Sequence, residues 1–170
     1  MLPPPNCEET SLPSTSSPTL LSTPSVQLSG EGGSILVSRP GPAVVLLRVA
    51  GRVDDLTDAL SHELEADLVI QGALHLFIQA RTSSLGADVL GSPRWAHWFR
   101  SHRAHLARVT VLVSPGFLKA TGDLARGFAG LDGKLEILFG EDAFMQAQKA
   151  ALRSPTASGT FPCGEREGEP

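Results

Sequence analysis

The stretch Ala43-Val-Val-Leu-Leu-Arg-Val-Ala50 is a nearly continuous aliphatic run that ends at Gly51. Such a run, without a regular alternation of polar residues, is typical of a strand that is covered on both faces. Strands of this kind belong mainly to parallel sheets with helices packed against them. We therefore expect the chain to fold as an α/β domain built around this strand.

The segments on either side of this strand alternate between strand and helix patterns. Strands are predicted at 34–38, 43–50, 72–79, 109–113 and 135–139. Helices are predicted after Asp54 or Asp55, over 92–106, from Ser114-Pro115 to 128 and over 142–152, because capping residues precede apolar stripes there. This order predicts a mixed, mostly parallel β-sheet with about four α-helices. The short connection between the first two strands predicts that they are antiparallel.

Both ends of the chain have the composition of disordered segments. Residues 1–33 are rich in proline, serine and threonine, and residues 153–170 have a similar character. Such segments cannot bury enough apolar surface to offset the entropy of ordering them. We therefore expect two disordered tails around a single domain over 34–152, with Val26–Leu28 as the only hint of an extended edge. The tails either keep the protein in solution or act as a phosphorylated tether.

The charge distribution argues against a polyanionic partner. The 170-residue chain has 14 Lys and Arg residues against 18 Asp and Glu residues. The segments 1–34 and 153–170 hold six of the acidic and two of the basic residues, so the remainder is neutral. A neutral domain lacks the positive field that nucleic acids or anionic membranes attract. No apolar run has the length of a membrane span, and residues 1–12 do not resemble a secretory signal, so we expect a cytoplasmic protein.

Motifs that would indicate catalysis or cofactor binding do not occur in the sequence. There is no G-x-G-x-x-G, no P-loop and no G-x-S-x-G motif. His97, His102 and His105 lie in one predicted helix, but no helical carboxylate completes a metal site, so we interpret them as packed or solvated. Cys7 and Cys163 form no C-x-x-C pair and are expected to be free thiols in a reducing compartment. We predict no catalytic residue, no metal and no cofactor, and the protein is interpreted as not being an enzyme.

The predicted helix over 92–106 carries both tryptophans of the chain. Its residues Trp95, Phe99, His102 and Leu106 recur at helical spacing, which predicts a stripe that faces the core. Trp98 lies off this stripe and is expected to be part-exposed. With Arg100, it is a candidate for contact with a partner protein, whereas stacking of nucleic-acid bases on these rings is the less favoured alternative.

Two segments resemble STAS domains, the family of sulphate-transporter and anti-sigma-factor-antagonist domains. The stretch Val44-Val-Leu-Leu-Arg-Val-Ala-Gly-Arg-Val-Asp54 is similar to the opening strand of that family, which ends in Gly-x-aliphatic-Asp before the first helix. The stretch His75-Leu-Phe-Ile-Gln79, followed by Thr82-Ser-Ser-Leu-Gly86, is similar to a later strand and its Asp-Ser-Ser-Gly-Leu-Gly loop. The order of predicted elements over 34–152 fits as well. The chain looks most like divergent STAS-like proteins that bacteria encode as stand-alone domains.

The resemblance implies a site in the loop that follows the strand at 75–79. Gln79 replaces an acidic residue of the family pattern, Thr82 replaces the aspartate before the phosphoacceptor serine, and the loop is one residue shorter. Matched on the loop motif, the candidate phosphoacceptor is Ser83, with Ser84 beside it; counted from the strand, the position falls near 87–88, where no hydroxyl exists. The implied partner-binding residues are Arg81, Thr82, Ser83, Ser84, Gly86, Asp88, Trp98 and Arg100.

The function implied by the resemblance is that of a non-enzymatic regulatory module that binds another protein. A kinase-type anti-sigma factor or another signalling protein is the implied partner. One alternative is a structural adaptor or subunit of a larger assembly that uses the Pro/Ser-rich tail as a tether. A small-ligand carrier or an enzyme using the crevice at the carboxyl ends of the strands is the less favoured alternative, because no paired nucleophile and base are visible.

Overall fold

The computed structural model describes residues 24–81, 93–113, 128, 130–131 and 133–154 of the chain. The helix predicted from Ser114 towards 128 and the two cysteines lie outside these residues, as do most of the predicted tails. Among the described residues there are three α-helices rather than the predicted four.

The described elements follow one another in the predicted alternating order. The strands are β1 (Ser25–Ser29), β2 (Gly33–Gly41), β3 (Val44–Gly51), β4 (Leu74–Arg81), β5 (Leu106–Leu112) and β6 (Leu135–Leu138). The helices are α1 (Thr57–Gln71), α2 (Pro93–Ser101) and α3 (Glu141–Arg153). Short 3-10 turns precede α1 at Asp54–Leu56 and β5 at Arg103–His105.

The six strands form one sheet in which spatial order equals sequence order. The pairs β1–β2 and β2–β3 are antiparallel, whereas β3–β4, β4–β5 and β5–β6 are parallel. This confirms the predicted mixed sheet and the antiparallel pairing of the strands now numbered β2 and β3. Parallel connections are right-handed, and here each one moves in the same direction across the sheet. Helices α1 and α2 therefore pack on the same face.

We call the face that carries Val45, Leu47 and Val49 of β3 the front face. These side chains belong to the main hydrophobic core, together with buried leucines of α1 and the aromatic side chains of α2. Leu60 and Leu64 of α1 are completely buried against it. The front face thus holds most of the apolar burial from which the free energy of folding derives.

The opposite face, the back face, is covered by α3 alone among the described helices. Val44 and Leu46 of β3 join Phe77, Leu112 and Phe144 in a second, smaller cluster. The rings of Phe77 and Phe144 meet edge to face, with centroids 5.6 Å apart. Both faces of β3 are therefore covered along much of its length, as the aliphatic run predicts.

The boundary predicted between the first tail and the domain at 33/34 is wrong. Residues 25–29 form β1 and pair with β2 in register from Ser25 opposite Ser38 to Ser29 opposite Ser34. Val26 and Leu28 point to the front face, where Leu28 packs against the core. Polar side chains alternate with these two residues, because only one face of the strand is buried. The composition of the segment therefore resembles that of the tail, and the strand was not predicted.

The predicted helix over 92–106 is also too long. Helix α2 ends at Ser101, and Leu106 opens β5 opposite Leu74. The backbone N–H of His102 donates to the carbonyl of Trp98, and that of His105 donates to His102, which closes tight turns. The chain must reverse there because β5 has to start at the same end of the sheet as β4.

The residues predicted to cap α1 have other partners. The Asp55 carboxylate accepts the backbone N–H of Glu31, at 3.3 Å, and so connects the β1–β2 loop to the start of the helix. The Asp54 carbonyl accepts the hydroxyl of Thr57 at 2.9 Å. The Asp55 side chain therefore makes a long-range contact that periodicity does not reveal.

An ion-pair cluster ties the end of β2 to α1. The Arg39 guanidinium donates to the Asp67 carboxylate at 2.8 Å and to Glu63 at 2.9 Å. The hydrogen bond to Asp67 is the main reason why the pKa of Arg39 is raised, so this side chain stays charged. Charge-assisted hydrogen bonds therefore connect the end of β2 to α1.

Gly51 ends β3 in a conformation that side chains rarely adopt, with φ at +76°. A Cβ atom there would collide with the carbonyl oxygen of Gly32 in the β1–β2 loop. The glycine of the Gly51-Arg-Val-Asp54 segment is therefore required both by backbone conformation and by close packing of two chain segments.

Candidate functional site

The loop implied to carry the site lies outside the described residues. This applies to Thr82, Ser83, Ser84, Gly86 and Asp88, so the assignment of a phosphoacceptor stays a prediction. Of the same set, Arg81 is the last residue of β4, and its backbone position pairs with Ala50 at the carboxyl end of β3. The loop consequently begins at the carboxyl edge of the parallel strands.

The expectation that Trp98 is part-exposed is wrong. Trp98 is only 5% exposed, and its ring stacks on His102 with centroids 4.6 Å apart. It also meets the rings of Trp95 and Phe99 edge to face. Because α2 is short and the chain turns from its end into β5, the buried side chains of α2 cover a wider part of its surface than the single stripe that was predicted. A buried indole offers no surface to a partner, so Trp98 leaves the candidate site.

Arg100 is exposed and lies near the carboxyl end of α2. Its Nε donates to the carbonyl of Ala96 within the helix, at 3.1 Å. Helix α2 runs back towards the amino ends of the strands, and Arg100 stands about 10 Å along its axis from Pro93. The structure therefore places Arg100 and the end of β4 at opposite ends of the sheet.

The back face contains a groove among the described residues. It has a volume of about 320 Å³ and lies between α3 and the carboxyl halves of β3, β4 and β5. Its lining residues are Leu46, Arg48, Gln79, Leu112, Glu141, Phe144, Met145 and Gln148.

The strand register and the helix period explain why these residues meet. Arg48 is opposite Gln79, and Gln79 is opposite Leu112, so the three side chains form one row across the back face. On α3, the lining residues at 141, 144, 145 and 148 recur at helical spacing and share one side of the helix. The groove is thus a consequence of one strand row facing one helix side.

The groove combines an apolar floor with polar walls. Leu46, Leu112 and Phe144 are buried beneath it, whereas the Arg48 and Glu141 side chains are exposed at its rim. The amides of Gln79 and Gln148 supply both donors and acceptors. A ligand or peptide with an apolar centre and polar ends matches this arrangement.

One large apolar side chain of the groove lining is exposed to solvent. Met145, on the wall of the groove, is 47% exposed. Methionine, aromatic residues and arginine are enriched in protein–protein interfaces relative to the rest of the surface. We call the set Arg48, Glu141, Met145 and Gln148 the back-face surface.

Sequence reasoning missed this groove, although one signal was present. Arg48 interrupts an aliphatic run that otherwise predicts a strand covered on both faces. The structure shows Arg48 exposed beside the groove, where α3 leaves part of the back face open. A charge inside a buried strand is the local mark of such an opening.

The histidines have structural surroundings. His102 stacks on Trp98 and lies 3.7 Å from Glu65, and His105 Nδ1 is 3.0 Å from the carbonyl of Gly72. His75 lies half-buried on the back face, where burial and then Arg108 lower its pKa. Within the part of the chain that the structure describes, no three His, Cys, Asp or Glu residues are placed to hold a metal ion.

No helix among the described residues is both long and apolar enough to cross a membrane. Comparison of the chain with protein-family models, with curated proteins and with solved structures finds no match in any of the three.

Proposed function

We propose that this domain is a non-enzymatic, STAS-like regulatory module of the cytoplasm that binds another protein through its back-face surface. The partner is a kinase-type anti-sigma factor or another signalling or assembly protein. The order of strands and helices supports the proposal, because an antiparallel pair followed by parallel strands with helical connections agrees with the expectation from the STAS-like motifs.

The observation that carries the proposal is the exposure of Met145 on the wall of a groove with an arginine at its rim. Large apolar side chains gain free energy when a partner removes them from water. The polar groups of Arg48, Glu141 and Gln148 can form hydrogen bonds around that apolar centre, as in the polar rim of an interface. A partner segment with an apolar residue flanked by charged groups fits this surface.

The predicted phosphoacceptor loop begins at the same edge of the sheet. Ala50 pairs with Arg81 at the carboxyl ends of β3 and β4, two residues beyond Arg48. A phosphate on Ser83 or Ser84 would add about −1.5 to −2 charges near the partner. Phosphorylation of this loop is proposed to weaken docking and so to switch the module off.

The docking surface is tested by a pair of charge substitutions. The full chain, immobilised, first captures its partner from an extract of the source cells, and the purified pair is then used to measure the dissociation constant. Met145→Glu should raise this constant by about tenfold or more, because an unpaired carboxylate would be buried in an apolar contact. Ile70→Glu is the control, since Ile70 is 73% exposed on α1 near the opposite end of the sheet.

Equal affinities of the wild type and the Met145→Glu variant would contradict the proposed surface, and so would an equal loss in both variants. Thermal unfolding of the two variants shows whether either change acts through the fold. Both residues are exposed, so we expect midpoints close to that of the wild type.

The switch is tested separately at the predicted phosphoacceptor. Ser83→Asp should weaken partner binding while leaving the thermal midpoint unchanged, and Ser83→Ala should keep binding. If Ser83→Asp binds as tightly as the wild type, the module is a constitutive adaptor, the alternative in which the tail serves as a tether.

A small-ligand carrier is the second candidate, favoured by the groove itself. Its volume of about 320 Å³ lies at the lower end of the range of ligand pockets. Small carboxylic acids with an apolar body are the probes, since Arg48 can pair with a carboxylate. If adding these acids shifts the NMR resonances of Leu46 and Phe144, and the shifts are lost in an Arg48→Ala variant, the carrier is favoured. If no resonance shifts, the protein-binding module remains the proposed function.

A further inference from the structure

Among the described residues, no strand pairs with the outer edge of β1, and its outward backbone groups follow a regular pattern. Two hydrogen bonds define the phase of the β1–β2 pairing: Arg39 N–H donates to the Pro24 carbonyl at 3.0 Å, and Gly30 N–H donates to the Gly33 carbonyl at 2.9 Å. In an antiparallel pair, hydrogen-bonded positions alternate with positions that point away. Val26 and Leu28 therefore face β2 with their backbone groups, whereas Ser25, Gln27 and Ser29 direct theirs outwards.

The sequence of this strand is nearly symmetric about its centre. It is Ser25-Val-Gln-Leu-Ser29, so reversing its direction exchanges serine with serine and valine with leucine, and leaves Gln27 in place. An edge with this symmetry can meet an identical edge running the other way. A two-fold axis through Gln27 would bring Ser25 of one copy opposite Ser29 of the other.

We propose that the outer edge of β1 pairs antiparallel with β1 of a second copy of this chain, so that two sheets join into one. Three opposed positions, Ser25 with Ser29, Gln27 with Gln27, and Ser29 with Ser25, exchange about six backbone hydrogen bonds. Contacts of this kind are isologous and close as a dimer. The proposal is independent of the function proposed for the back-face surface.

The side chains agree with this pairing on both faces of the sheet. Val26 and Leu28 are half-buried on the front face, and each would lie directly opposite the other in the second copy. This closes the exposed border of the front core with an aliphatic pair from each side. On the back face, the two Gln27 amides would lie side by side, where each can donate to the other.

The absence of charged side chains from β1 favours pairing of this edge with a second copy over exposure of the edge to solvent. Residues 24–30 contain no charged side chain, whereas natural edge strands commonly carry lysine or another charge that prevents pairing. The opposite edge of the sheet shows that device: β6 carries Glu136, and Lys134 precedes it. The two edges of the same sheet thus differ in the feature that blocks association.

The occupant is identified by measuring the mass of the full chain in solution by sedimentation equilibrium. We expect the wild-type chain to have twice the chain mass. Each of two single substitutions, Gln27→Lys and Gln27→Pro, should raise the dissociation constant of the dimer by about tenfold or more. Gln27→Lys places two ammonium groups side by side across the axis. Gln27→Pro removes the outward N–H but no bond to β2, and proline is tolerated at edge positions of this kind.

Two controls separate edge pairing from general effects on the strand. Gln27→Thr keeps both the backbone groups and the strand propensity, so it should leave the dimer intact. Ser34→Lys adds the same charge on β2, at the position opposite Ser29 of β1. It should change the dissociation constant of the dimer by less than Gln27→Lys does. Circular dichroism of each variant checks that the fold is kept.

A wild-type chain with the mass of a monomer would overturn the proposal, including the case in which residues 1–23 cover the edge themselves. A dimer that both Gln27→Lys and Gln27→Pro leave unchanged would overturn it too, because the copies would then meet elsewhere.

Discussion

The front and back faces of the sheet are built from the same strands but buried in different ways. The front face is covered by α1 and α2, and its aromatic cluster packs Phe99 within 5.5 Å of Trp95 and 4.6 Å of Phe128, measured between ring centroids. The back face has α3 and one small cluster, with an open groove beside it. Among the described residues, apolar burial is therefore concentrated on the front, and the open groove is on the back.

This difference follows from topology rather than from composition. Because consecutive parallel strands are added in one direction, their right-handed connections place helices on one side only. Among the described helices, the one that follows β6 packs on the other side. This helix does not span all six strands, so part of the back face is open among the described residues.

The largest effect is expected from truncating a phenylalanine on each face. Phe99→Ala should lower the free energy of unfolding by about 3–5 kcal/mol, since Phe99 is completely buried against three other rings. Phe144→Ala should cost less, because Phe144 borders the groove and its loss opens an existing cavity to water. Urea unfolding measures both values, and equal costs would remove the distinction between the faces.

The second largest effect on the free energy of unfolding is expected at the end of β3, where the strand lies close to the β1–β2 loop. Gly51→Ala should cost about 2–4 kcal/mol, since it combines a positive φ with a collision against Gly32. Gly72→Ala is the matched control: its φ is +74°, but nothing lies within 4 Å of the added Cβ. It should cost only the backbone strain, about 1–2 kcal/mol. A Gly72→Ala variant as unstable as Gly51→Ala would show that the packing of the β1–β2 loop contributes nothing.

The spacing of apolar residues predicts those parts of the fold in which the local sequence and the tertiary packing favour the same structure. The run from Ala43 to Ala50 identifies the central strand, and Leu60 and Leu64 of α1 are buried as their spacing predicts. The end of α2 and the burial of Trp98 were not predictable in this way. Both depend on where β5 must begin to pair with β4, which is a long-range requirement.

The candidate site was less predictable than the fold. The groove requires the side of α3 that contains Met145 and Gln148 to face the strand row of Arg48, and no local pattern encodes which strands a terminal helix crosses. Phe144 and Ala151 of α3 pack in the smaller cluster, but the apolar spacing that they share does not reveal the gap beside them. Arg48 was the one local sign of an opening.

The smallest effect tests the partial burial of the back face. Burial, and then the nearby Arg108, lower the pKa of His75 below its ordinary value near 6.5. The unfolded chain therefore binds more protons than the folded one as the pH falls through 6.5, and the free energy of unfolding decreases with acidification. The loss ends once the pH is below the lowered pKa of the folded state.

His75→Gln should flatten this part of the pH profile, measured by urea unfolding between neutral and mildly acidic pH. His62→Gln, an exposed change on α1, serves as the control and should keep the slope of the wild type. A His75→Gln variant with an unchanged slope would mean that the back face around β4 is as accessible to solvent as the unfolded chain.

Amide hydrogen exchange of the full chain, alone and with its captured partner, tests most directly whether the back face is the binding face. We predict that the partner slows exchange over 141–148, the half of α3 that borders the groove, and leaves 57–71 and 93–101 on the front face unchanged. Slower exchange confined to α1 or α2, with 141–148 unaffected, would contradict the account.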